Sequence, residues 1–326
     1  MMCFWSLILI TRRFLMSFKM CLVIILSLTA CMANLTAEAD LSNLSQKVTF
    51  QNQAQAQKDI QNQTQQAKEE VQKSLVPDAI FIVNETKKAI NFIKNGQMAE
   101  ALSAVENATG KSDVLLARHP ENALLPVDFA IKVIDSAPVE LNKINGIEKL
   151  IKKNIDYKNY PVSRALLNFL CSEIDVVTYC LPLAYYPEAL KKAARLLELK
   201  QASEASLVLD IALNTLVEMH QTFPIPTIKV ITLLTTAEDI LEKENDKENA
   251  LKLVNEAKFE LKRSIELGYL EKDEKYRALN EELTDLENKI NKNQKSTSSF
   301  RSLKEKFRDF LKILSKPKSA SRCLNE

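Results

Sequence analysis

The stretch Glu173–Leu213 reads EIDVVTYCLPLAYYPEALKKAARLLELKQASEASLVLDIAL. It opens on a β-branched run, Ile174, Val176, Val177 and Thr178, which predicts a strand. The corner Leu181-Pro182-Leu183 ends it, since proline brings no amide hydrogen to a sheet ladder. Two helical patterns follow, one through Ala189, Leu190, Leu196 and Leu197, the next through Ala205 and Leu209. Only four glycines and ten prolines occur in 326 residues, too few for the many tight turns of an all-β chain. The fold class is therefore mostly α with a small β element (α+β).

A displaced copy of this stretch lies upstream. With a shift of 104 residues, Lys87-Lys88-Ala89 falls on Lys191-Lys192-Ala193, Gln97 on Gln201, Glu100-Ala101 on Glu204-Ala205 and Ala108 on Ala212. These are seven identities in 22 gapless positions. The match predicts duplicated antiparallel helical hairpins stacked into a bundle. In the first copy, Pro77 opens a helix to about Lys94, Asn95-Gly96 breaks it, and a second helix from Met98 is interrupted at Gly110. A third pair is read at Ile228–Leu241 and Ala250–Ile265, broken at Asn245-Asp246. Gly268 caps it, and a charged helix then runs to about Asn291.

Between the first two hairpins, Leu125–Asp135 places Val127, Phe129, Ile131 and Val133 on one face at period 2 and closes at Ala137-Pro138. Paired with Ile174–Leu181 it makes a two-stranded sheet, parallel or antiparallel, lying on the hairpins. Helices are read between the strands at Val139–Asn154 and Pro161–Cys171. Any pocket between sheet and hairpins is expected to be lined by Phe129, Val176 and Tyr179.

The N-terminal 31 residues read as an export signal. Lys19 precedes the apolar run Cys21–Leu28, too short for a span of about 20 residues. Leu28-Thr29-Ala30-Cys31 resembles a bacterial lipobox, which makes Cys31 the lipidation site; cleavage of an ordinary secretory peptide after Ala33 or Ala37 is the alternative. Met16 competes with Met1 as the start. The protein is expected in the cell envelope, anchored to the outer membrane and facing the periplasm, or soluble in the periplasm. Residues 32–74, Gln-rich with few large apolar side chains, read as a tether and spacer. Residues 75–291 form the helical domain, 292–299 a linker, and 300–326 a basic amphipathic tail. That tail aligns Phe300, Leu303, Phe307, Phe310, Leu311 and Leu314, and either lies on a membrane, docks on a partner, or packs on its own domain.

The whole chain has 44 basic and 42 acidic residues; without Arg12, Arg13 and Lys19 the balance is 41 against 42, a net charge of −1. Nothing in that balance points to nucleic acid. Cys171 and Cys180 are nine residues apart, about 13 Å along a helix and beyond the roughly 7 Å limit of a disulfide. They are read as small buried hydrophobes. His119 and His220 are read at helix C-termini, where the dipole favours an imidazole. The sequence has no Gly-rich phosphate loop, G-x-S-x-G, C-x-x-C or H-E-x-x-H. No catalytic residue, metal ligand or cofactor is therefore assigned, and a non-enzymatic protein is expected.

Leu125-Pro126-Val127-Asp128, Ile174-Asp175-Val176-Val177, Leu181-Pro182-Leu183, the hairpin Ala189–Leu209 and the ending Leu267-Gly268-Tyr269 occur in this order. The arrangement resembles the bacterial YfdX family over about residues 75–270. The resemblance implies an exported, predominantly α-helical, self-associating protein tied to stress tolerance, with no catalytic residues to carry over. The expected function is binding of proteins or small molecules through the hairpins, chaperone-like in stress. The alternative is a small-ligand carrier with its pocket between sheet and hairpins.

Overall fold

A computed structural model describes residues 53–118, 124–316 and 318–319. The export signal with Cys31, His119 and Cys323 lie outside the described residues. Helix α1 covers 53–74. It is followed by α2 (Pro77–Lys94), α3 (Met98–Arg118), β1 (Leu124–Asp135), α4 (Leu141–Asp156), α5 (Tyr160–Asn168) and β2 (Ser172–Pro182). Then come α6 (Tyr186–Glu198), α7 (Ala202–Asn214), β3 (Val217–Pro224), α8 (Ile225–Lys243), α9 (Lys247–Glu266), α10 (Glu274–Asn291), α11 (Thr297–Leu314) and β4 (Lys318–Ser319). The protein is mostly helical with a small antiparallel sheet, as the composition implies. No helix among the described residues is long and apolar enough to cross a membrane.

The duplication extends to backbone hydrogen bonds. In the first hairpin Asn95, Gly96 and Gln97 donate their amides to the carbonyls of Asn91, Ile93 and Phe92; in the second, Leu199, Lys200 and Gln201 donate to Arg195, Leu197 and Leu196. Each partner lies 104 residues from its counterpart. Gly96 and Lys200 both sit in the left-handed region, at φ 77° and 59°. Lysine has to bear there a conformation that costs glycine little. Inner positions match in kind: Ala89 and Ala193, Ala101 and Ala205, Val105 and Leu209, and Ala108 and Ala212 are all buried. Alanines at these positions let helices approach closely, so α2 packs on α7 and α3 on α6. Tyr186 fastens the copies together. It is buried, its hydroxyl donates to Thr86 Oγ1 at 3.1 Å, and burial pushes its phenol up to about 12. Gly110 does not interrupt α3, which continues to Arg118; a single glycine costs about 1 kcal/mol in a helix and the buried face of α3 outweighs it.

The sheet has the order β1-β2-β3-β4, antiparallel throughout, so the expected pair of strands is three long strands and a two-residue fourth. Its third strand replaces a helix end expected at His220. The two faces divide the core. On β2, Tyr179 and Leu181 meet the hairpins, while Ile174 and Val176 meet the opposite side with Phe223, Ile225 and Ile228. A bulge in β1 between Pro126 and Asp128 reverses the alternation. Leu125 and Val127 therefore face the hairpins, whereas Phe129 and Ile131 pack on the other side. Val133 is exposed, so the single face expected for Val127–Val133 does not exist. At this edge the Pro126 carbonyl accepts the Val76 amide at 2.9 Å, which ties the start of α2 to the strand.

One flanking segment departs from expectation, and the other takes one of the three courses open to it. The expected spacer is helical over 53–74, with Ile60, Ala67 and Val71 buried beside Ile174, Val176 and Phe223. Three apolar residues suffice because β2 and α8 supply the rest of the surface, and Thr232 Oγ1 donates to Asp59 Oδ2 at 2.7 Å. The basic tail packs on its own domain. Phe300, Leu303, Phe307 and Leu311 are buried, and Lys304 and Lys306 pair with Glu238 and Glu282. Of the three readings of this face, packing on its own domain is the one the structure shows, so the face is not open to a membrane or partner.

Candidate functional site

Phe129, Val176 and Tyr179 do not line one pocket. Alternation along β2 puts Val176 and Tyr179 on opposite faces, and the β1 bulge sends Phe129 to the Val176 side. The junction between sheet and hairpins is packed by Leu125, Val127, Leu181, Leu183 and Tyr186. A concavity of about 350 Å³ does occur, but on the other face, where the end of α1 leaves the sheet. Val71, Leu124, Pro126, Thr178, Cys180 and Met219 are among its lining residues. A broader depression of about 570 Å³ lies between α2 and α3, bordered by Phe81, Asn107 and Val114. Asp78 there is spent on Lys111 at 2.9 Å and Arg118 at 3.6 Å.

Polar groups converge where β2 begins. His220, on β3, places Nδ1 3.1 Å from Asp175 Oδ1 and Nε2 3.6 Å from Glu218 Oε2. The left-handed Gly268 turns the chain after α9 so that the Tyr269 hydroxyl accepts the Ser172 amide hydrogen at 2.8 Å. That hydroxyl also meets Glu173. Burial raises the Glu173 carboxyl, against the pull of the Tyr269 hydrogen bond. Burial likewise raises the Tyr269 phenol. These contacts bind β2 to β3 and to the end of α9, which is a structural use of every group named. Among the described residues no three or more His, Cys, Asp or Glu side chains are placed to hold a metal ion. Cys171 and Cys180 are free thiols, both raised by burial and so poor nucleophiles.

The Glu173 shift predicts a pH effect. A carboxyl raised on folding binds its proton more tightly in the native state, so its contribution falls as pH rises through the ordinary carboxylate range. Glu173→Gln is expected to remove that decline, leaving stability at neutral pH equal to or above the parent's. Urea midpoints from about pH 4 to 7 will show it; parallel curves for parent and variant would refute it.

The outer faces of the hairpins differ between copies. Leu199, Leu207 and Ile211 are 54–60% exposed. At the equivalent places the first copy carries Asn95, Ser103 and Asn107, also exposed. Leu207 and Ile211 are one helical turn apart on α7, with Leu199 at the turn before it. The fold repeats without apolar residues at these places in its first copy, so they are surplus to folding. Reading the 104-residue match for outward positions as well as inward ones would have found them.

Residues 82–222 match the family model described as YfdX protein. These residues belong to the YfdX family. The YfdX region runs from within α2 to within β3, and so contains the second hairpin, nearly all of the first, and β1, β2 and most of β3. Helix α1 and helices α8–α11 lie outside the match. Among solved structures, one of Salmonella Typhi YfdX is similar at 12% identity and a TM-score of 0.31, covering 45% of this chain and 91% of that one. No curated protein matches the chain.

Proposed function

We propose that this is a non-enzymatic protein of the cell envelope that binds exposed apolar segments of other proteins, in the manner of a chaperone, through its second hairpin. The observation that carries the reading is the stripe Leu199, Leu207 and Ile211, which the duplicated fold does not require. Exposed leucine and isoleucine one turn apart give an extended client a place to bury side chains without unfolding the host. The inner alanines and Tyr186 keep that surface rigid, which lowers the entropy lost on binding. The export signal read from the sequence supplies the envelope setting.

Suppression of aggregation of a reduced, unfolded client tests the reading. Leu207→Ser with Ile211→Asn installs the residues of the first copy. Stability is expected to stay within about 0.5 kcal/mol, while client affinity falls about tenfold for roughly 1.4 kcal/mol of lost apolar contact. Undiminished suppression by the double variant would overturn the role of the stripe. No suppression by the parent would overturn the function.

The cavity beside α1 favours a second reading, carriage of a small apolar molecule. Its volume of about 350 Å³ lies within the range of ligand sites, about 300–1,000 Å³. Filling it with Cys180→Phe is expected to abolish any thermal stabilisation by apolar ligands while leaving client binding intact.

A further inference from the structure

The α4–α5 hairpin sits on the body of the molecule through Ile144, Ile151 and Leu170. Its turn does not. Ile155, Tyr157, Tyr160 and Val162 are 41–73% exposed. The reversal itself is made by the backbone: Lys158 adopts φ 57°, its amide donates to Ile155 at 2.8 Å, and the Asn159 amide donates to Asn154 at 2.8 Å. Four large apolar side chains are thus not needed to form the turn. Cations surround them. Residues 148–164 hold Lys149, Lys152, Lys153, Lys158 and Arg164 against Glu148 and Asp156. Among the described residues none of these five lies within 4.0 Å of a carboxylate, whereas Lys143, Lys191, Lys229 and Lys258 all do.

We propose that this turn docks on an anionic lipid bilayer. Tyrosine has an apolar body and a polar tip, which suits the boundary between headgroups and acyl chains. Ile155 and Val162 enter that boundary, and the unpaired cations meet lipid phosphates. The charge selects this occupant, because an apolar protein groove gains nothing from five unpaired cations around its ligand. Exposed lysine stems let the ammonium groups stay in water while the chain end lowers onto the surface. The attraction weakens as salt screens it.

The natural chain has one tryptophan, Trp5, so the full-length chain with Trp5→Phe and Tyr157→Trp carries a reporter at the turn alone. Phosphatidylglycerol vesicles with brominated acyl chains are expected to blue-shift and quench its emission; phosphatidylcholine vesicles are not. Lys152→Glu with Lys153→Glu should lower partitioning roughly tenfold or more. Because the readout is local, membrane binding by the apolar N-terminal residues does not imitate it. Tyr160→Trp provides a second reporter should the first variant fold poorly. Unchanged emission with phosphatidylglycerol, or equal quenching by both lipids, would overturn the proposal. So would a shift in oligomer size on Tyr157→Ser with Tyr160→Ser, without lipid quenching, since the patch would then join two copies of the chain.

Discussion

Replacing Arg263 with alanine will destabilise the protein by about 3–5 kcal/mol, the cost of stranding a buried charge partner. Arg263 is 1% exposed and closes α9 onto the segment between β1 and α4. Its Nε donates to the Pro138 carbonyl at 3.2 Å, Nη2 to Ala137 at 3.0 Å, and Nη1 to Glu260 Oε2 at 3.3 Å. Those carbonyls are directed by the amides beside them, since Ser136 and Ala137 both donate to Cys171. Truncation leaves two carbonyls short of a donor and Glu260 without its cation. Glu256 adds to the strain: burial raises its carboxyl, and the charge of Glu260 raises it further. The deficit should therefore shrink on acidification, as protonation of Glu256 removes its repulsion with Glu260. Arg263→Lys should recover only part of the loss, because one ammonium cannot reproduce the planar fork. Urea unfolding at neutral and acidic pH measures both effects. A loss below about 1 kcal/mol would show the group to be no more than a surface contact.

Phe307→Ala is expected to cost about 3–5 kcal/mol as well. The ring is fully buried on α11, between Leu303 and Leu311 on the same face. That face closes the side of the sheet where Ile174, Val176 and Phe223 lie, with Leu311 in the same cluster. Ile313 on the opposite face is exposed, and Ile313→Ser should be neutral within about 0.5 kcal/mol. Together they separate two roles for an amphipathic helix. A helix held for a membrane would tolerate Phe307→Ala in solution, while one that completes a core will not. Equal, small losses in both variants would restore the membrane reading of the tail.

Much of this architecture was legible because local rules fix it. The hairpins follow from alanines and leucines at helical spacing. The first turn follows from Asn95-Gly96 and the second from the 104-residue match, and β2 follows from its β-branched run. What was missed lacks a local signal. Val217–Pro224 contains the run Glu218, Met219, His220 and Gln221, none of them strong strand formers, and it is a strand because β2 offers it a complete ladder. One residue at Val127 turns Phe129 away from Tyr179, and no periodicity count registers a bulge. The candidate pocket failed for that reason. The stripe on α7 was visible only as a difference between copies, since an isolated exposed leucine is ordinary.

The sequence by itself determined the helices from Pro77 onward, the duplicated hairpins, the antiparallel turns within them and the scarcity of reactive groups. Tertiary structure alone decided what each amphipathic face meets. It settled that 53–74 and α11 complete the core and that the sheet has a third long strand. It also left the α4–α5 turn and the outer face of α7 open. The physical reason is that the hydrophobic effect is non-directional: a pattern states that a face must leave water, and only the packed neighbours state where it goes.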